Sequence, residues 1–109
     1  MRRGEIWTAV GGSGYAGKPR PVVIIQDDRF EATDSVTVCA FTTDPTEAPL
    51  IRLRVVPDDV NGLRQECSLM VDKLTTIRRP KLGEQLGQLA EADMVRLGRA
   101  VMVFLGLAG

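Results

Sequence analysis

The chain has no histidine among its 109 residues. That single absence removes the Ser-His-Asp triad, the Cys-His dyad, the two-histidine ribonuclease and the ordinary zinc sites. A catalytic reading must therefore rest on Arg, Lys, Thr, Ser, Tyr or carboxylates. Net charge is also lacking: 14 basic residues balance 14 acidic ones. The chain as a whole carries no electrostatic signature of nucleic-acid binding, so any anion site must be a local patch. Cysteine is scarce. Cys39 and Cys67 both sit in apolar, β-like runs. They read as small buried hydrophobes of a reducing compartment, and spacing alone does not decide whether they pair. No run approaches the ~18 apolar residues of a membrane span. The opening "MRRGEIW" lacks the apolar stretch of a signal peptide. The expectation is a cytoplasmic chain with no membrane partner.

What is present suits one globular domain over residues 1–109, with 44% hydrophobic and 26% charged residues. "GEIWTAV", "RPVVIIQ", "DSVTVCAFT" and "PLIRLRVVP" read as strands, the last with Ile51, Leu53 and Val55 on one face and Arg52 and Arg54 on the other. Asn61-Gly62 is the strongest short turn signal. "ECSLMVDKLTTI" supplies a further strand or two. "RRPKLGEQL" is ambiguous between a very short helix at Pro80 and an edge strand. From Glu91 to Leu105 the period changes. Met94, Leu97, Val101, Phe104 and Leu105 recur at three and four residues, acids occupy the first turn, and Gly106 follows as a stop. The architecture expected is mainly β: five to seven short strands forming a small, closed or nearly closed barrel, with one C-terminal helix over a face.

Gly12 to Lys18, "GSGYAGK", matches a phosphate-binding loop in spacing. A nucleotide loop needs Ser or Thr next and then a helix. Pro19 follows instead, and the β-branched run behind it predicts an extended chain. A plain inter-strand loop, or a loop closing over a ligand through Ser13, are the readings left. Arg20 stands between Pro19 and Pro21. Each proline fixes its own φ, and Pro21 pushes Arg20 out of the helical region. The guanidinium therefore rises from a stiff backbone, which suits bidentate capture of a phosphate as well as a simple strand start. Thr42 and Thr43 close a Val-rich strand. Asp72 and Lys73 interrupt an apolar run, and Arg2, Arg3, Arg78, Arg79 and Lys81 form short basic clusters that also read as solvated surface.

The order of these pieces is more specific than any one of them. Arg3-Gly-Glu-Ile-Trp7 opens the chain, a Gly/Ser loop follows, and then Arg20-Pro-Val-Val-Ile-Ile25. A strand ending Phe41-Thr42-Thr43, the pair Gly62-Leu63, a Ser-containing strand, Asp72-Lys-Leu-Thr-Thr-Ile77, Lys81-Leu82, Gly87 and a terminal helix complete it. This order resembles the MazF/PemK family of toxin endoribonucleases along essentially the whole chain. The resemblance implies a small SH3-like β-barrel of the CcdB/PemK type that works as a homodimer. It implies sequence-selective cleavage of single-stranded RNA without metal or other cofactor, and inhibition by a MazE-like antitoxin. It assigns catalysis to Arg20 and Thr42. Contacts to RNA are expected from Arg3, Ser13, Lys18, Thr43 and Lys73. Two departures stand out. Gly14 follows Ser13 where family loops often carry Glu, and Asp72-Lys73 stands where Glu-Gln is frequent. The alternatives are a CcdB-like gyrase-poisoning toxin, against which the ending "FLGLAG" and the position of the lone Trp7 speak, and a catalytically silent SH3-like binding module.

Overall fold

The computed structural model describes residues 1–10 and 18–108, and the loop serine Ser13 lies outside them. Seven strands and one helix follow in chain order: β1 Glu5–Ala9, β2 Arg20–Ile24, β3 Ser35–Thr42, β4 Arg52–Val55, β5 Cys67–Met70, β6 Thr75–Arg78, β7 Leu82–Gln88 and α1 Glu91–Phe104. All pairings are antiparallel. The spatial order is β4-β5-β3-β2-β1-β7, with β6 joined to β3. The eight-residue β3 is the pivot. Its first half pairs with β6, from Ser35↔Arg78 to Val38↔Thr75. Its last two residues pair with β5, as Phe41↔Leu69 and Thr42↔Ser68. One strand thus belongs to two ladders on one edge, which bends the sheet.

Alternation along β3 divides the interior into two apolar layers. Cys39 and Phe41 join Ile6, Val23, Val55, Cys67, Leu69, Val71, Leu89 and Leu97 in the core beneath α1. Val36, Val38 and Ala40 point the other way and pack with Ala9, Val22, Ile24 and Leu82. A sheet curved enough to bury both faces reads in sequence as unbroken apolar runs, and "PVVII" and "VCAF" are two of these. Both thiols are free and buried. Burial pushes Cys39 up to about 12 and Cys67 up to about 11.

Of the barrel expected as closed or nearly closed, the closed form is not the one found: the sheet stays open between β4 and β7. The reason is local. The loop after β4 docks on the outer edge of β7, where the Gln88 amide donates to the Val60 carbonyl at 3.0 Å. Gly62 permits that approach. Its φ is +69°, and a β-carbon there would collide with the Leu86 carbonyl. Asn61, fully buried, braces the turn: its Oδ1 accepts from the Asp58 and Leu63 amides, and its Nδ2 donates to Val56. The loop takes the edge that β4 would need.

Both readings of "RRPKLGEQL" occur, as a 3-10 turn at Arg79–Lys81 and then β7. The helix buries Leu97 and packs Met94, Ala100 and Val101 on the core. Arg96 ties it to β4 by donating to the Arg54 carbonyl at 3.2 Å. Phe104 and Leu105, expected on that buried stripe, are 46% and 54% exposed. The stripe outlasts the core beneath it, since α1 packs on the 3-10 turn Val71–Lys73 and on β4. Among the described residues no helix is long and apolar enough to cross a membrane.

Candidate active site

A cleft of about 350 Å³ opens at the gap in the sheet. One side is built by neighbouring strands: Thr8 from β1, Arg20 and Pro21 from β2 with Pro19 just before it, and Glu84 and Leu86 from β7. The floor and end come from Phe41, Thr42, Thr43 and Cys67. The opposite wall is the docked loop, with Gly62, Leu63, Arg64 and Gln65. The volume lies at the lower end of the range for small-ligand sites.

Each wall is fixed by a local rule. Arg20 is the first residue of β2 and pairs with Ala9, so the two prolines deliver it, exposed, at the mouth of an otherwise buried strand. No helix follows Pro19, which disposes of the nucleotide-loop reading. Thr42 ends β3, and its Oγ1 accepts from the Asp44 amide at 3.1 Å. That bond starts a turn and takes one hydroxyl lone pair, leaving the O–H free to donate. On the far strand, Gly83 makes room for the Thr8 hydroxyl. A β-carbon on Gly83 would stand 2.6 Å from Thr8 Oγ1. That hydroxyl accepts from the Glu84 amide at 2.9 Å, where the β1–β7 register shifts. Such bulges re-aim side chains beside functional sites.

The electrostatics are unusual for so small a surface. Among the described residues neither Arg20, Arg64 nor Glu84 enters an ion pair, although all three line one cleft. Two guanidiniums face a common space with a carboxylate and three threonine hydroxyls. Such a set suits an anion that also carries a proton to be removed, and a phosphodiester beside a hydroxyl is one.

Of the residues singled out in the sequence, Arg20, Thr42 and Thr43 share this cleft. Lys18 is exposed two residues before Arg20, outside the lining. Lys73 is exposed on the 3-10 turn after β5 and is also outside it. Arg3 lies at the opposite end of β2. Its guanidinium donates to the Ile25 carbonyl and its amide to Asp28 Oδ1 at 2.6 Å, so it fastens the N-terminus to the strand end. Thr8, Arg64, Gln65 and Glu84 were missed by sequence reading. The signal available for Glu84 was faint: a carboxylate next to a glycine in an otherwise neutral edge strand.

An open antiparallel sheet bent around a long third strand, a covering C-terminal helix and a cleft holding unpaired arginines with threonines define a small, mainly β protein with a polar cleft at the edge of its sheet. The chain belongs to the PemK-like, MazF-like toxins of type II toxin-antitoxin systems, whose family profile matches residues 2–105. It is 59% identical over its full length to a probable endoribonuclease MazF of Mycolicibacterium smegmatis, which it covers completely. It is 30% identical to an endoribonuclease MazF of Staphylococcus epidermidis, over 98% of this chain and 92% of that one. In structure it resembles Mycobacterium tuberculosis toxin MazF-mt6, with a TM-score of 0.80, 28% identity, and 96% and 99% of the two chains covered. The same fold, at TM-score 0.81 and 24% identity, occurs in a mycobacterial endoribonuclease solved in complex with its cognate antitoxin, with 100% and 98% of the chains covered.

Proposed function

We propose that this chain is the toxin of a toxin–antitoxin pair and a metal-independent endoribonuclease that cleaves single-stranded RNA in the Arg20–Thr42 cleft. The observation that carries the reading is the convergence of Arg20, Thr42 and Thr43 on one space in a chain of this family. RNA supplies its own nucleophile. The 2′-hydroxyl attacks the adjacent phosphorus, the P–O5′ bond breaks, and the products are a 2′,3′-cyclic phosphate and a 5′-hydroxyl. The protein's work is then to hold the strand in line and to stabilise charge on the non-bridging oxygens. Arg20 grips those oxygens as a planar fork, and Thr42 donates a hydrogen bond to one of them.

A MazE-like antitoxin partner is supported by the family and by the antitoxin complex of the structural relative. Assembly as a homodimer is supported by the apolar side chains that Val95, Met102, Val103, Phe104 and Leu105 leave exposed on α1 and just after it. Lys18 and Lys73, both exposed and outside the cleft lining, would meet RNA beyond the cut. Arg3 would reach RNA only beyond the far end of β2. RNA binding should weaken with salt, as phosphate contacts do. A chain acting on RNA works in the cytoplasm.

Primer-extension mapping on a long RNA, without added metal and with end-group analysis, tests the chemistry. Cuts bearing 5′-hydroxyl and cyclic phosphate ends are expected. Products bearing a 5′-phosphate would overturn the mechanism.

A further inference from the structure

The cleavage just described needs a proton acceptor for the 2′-hydroxyl, and the groups lining the cleft differ sharply in their ability to serve. Arg20 and Arg64 carry guanidinium groups, which donate hydrogen bonds and have no acceptor for a proton. Thr8, Thr42 and Thr43 are neutral hydroxyls. Gln65 is a neutral amide. Cys67 is a thiol whose burial, reinforced by the charge of Glu66, pushes it up to about 11, so it stays protonated. Glu84 is the one carboxylate among the described lining residues.

Resting on the endoribonuclease reading, we infer that Glu84 is the general base, its carboxylate taking the 2′ proton while Arg20 and Thr42 hold the phosphate. The placement is set by backbone. Ala9 pairs with Arg20, Thr8 pairs with Pro21, and the Glu84 amide donates to Thr8 Oγ1. Arg20 and Glu84 thus rise from β2 and β7 with β1 between them. Neighbouring strands are separated by about 4.8 Å, so the two backbones stand roughly 10 Å apart. That span leaves room for a ribose and its 3′-phosphate between the two side chains, cation on one side and carboxylate on the other. Because Glu84 is in no ion pair among the described residues, its oxygens remain available.

The step balances without a co-reactant. The 2′ proton passes to the Glu84 carboxylate, the O2′–P bond forms and the P–O5′ bond breaks. The 5′ oxygen takes a proton from solvent, and Glu84 returns its own to solvent. Thr8 acts as a positioning residue, since its hydroxyl holds the Glu84 amide at the register shift.

The test is single-turnover cleavage of one RNA across pH by the parent, Glu84→Gln, Glu84→Asp and Arg20→Ala. Binding is measured separately on the same RNA with a 2′-deoxy nucleotide at the cut. Glu84→Gln should lower the rate roughly 100- to 10,000-fold, the usual range for a lost general base. It should also abolish the fall in rate on the acid side, because no carboxylate remains to be protonated. Binding of the deoxy RNA should not weaken, since a negative charge has been removed from a site that meets a polyanion. Glu84→Asp should keep the acid-side fall at a reduced rate. Parental rate and pH dependence in Glu84→Gln, with Arg20→Ala inactive, would overturn the role of Glu84 and leave the site intact. Parental rate in folded Arg20→Ala would overturn the site itself, and the inference with it.

Discussion

Two clefts in this molecule carry arginines, and they treat them in opposite ways. In the cleft between β2, β3 and β7, Arg20 and Arg64 share space with Glu84, and none of the three is in an ion pair among the described residues. In a second hollow of about 240 Å³, beside β4 and β5, Arg52 and Arg54 are already spent. Arg52 bonds Asp72, and Arg54 bonds Glu66. Those pairs clip β4 to the residues flanking β5, and the ladder between the two strands places Arg52 opposite Met70 and Arg54 opposite Ser68. The same residue type therefore does two jobs. A neutralised arginine holds strands together, whereas an unneutralised one on a stiff backbone is free to meet an anion.

The contrast yields predictions of decreasing size. Arg20→Lys should leave cleavage roughly 100-fold or more below the parent, because an ammonium lacks the planar fork; quenched-flow or gel assays measure it. Thr42→Val should cost roughly 10- to 100-fold, the worth of a hydrogen bond to a charged group, and Thr42→Ser should recover most of it. Gly62→Ala should lower stability by about 2 kcal/mol or more, since it adds a β-carbon at positive φ against Leu86; urea denaturation reads it.

The paired arginines give the smallest effects. Burial alone would raise the Asp72 carboxyl, but the hydrogen bond and charge of Arg52 outweigh it and hold the group below the ordinary Asp value. A depressed carboxylate adds stability above its unfolded pKa, and that stability is lost as pH falls through the folded value. Asp72→Asn should therefore melt below the parent at neutral pH, with the gap narrowing in acid beneath the usual Asp range. Thermal melts across pH check it.

Much of the Arg20–Thr42 cleft was legible because its signals are local. Two prolines around Arg20 constrain the backbone whatever the fold, and a Val-rich strand must end somewhere near Thr42 and Thr43. The second wall was not legible. Arg64 and Gln65 reach the cleft only because the loop after β4 docks on β7, an event set by Gly62 and by Gln88 bonding Val60, residues distant in sequence. The same docking keeps the sheet open, so the barrel expected as closed or nearly closed stops short of closing for the reason the cleft exists. Glu84 was hidden on a strand whose type was itself ambiguous. Arg3, expected to contact RNA, is fastened to Ile25 at the other end of β2 from Arg20. The helix was read correctly in period and extent. Its last turn projects beyond the core, which periodicity cannot register.

The most direct test compares the two clefts in one experiment. Arg20→Ala and Arg54→Ala, each shown folded by circular dichroism, are assayed for cleavage of the same RNA without metal. Arg20→Ala should fall roughly 100- to 1000-fold, the loss typical of a transition-state donor. Arg54→Ala should cut at the parental rate and lose at most about 1 kcal/mol of stability, as exposed pairs do. Parental cleavage by Arg20→Ala, or an equal loss in both variants, would contradict the division between the two clefts.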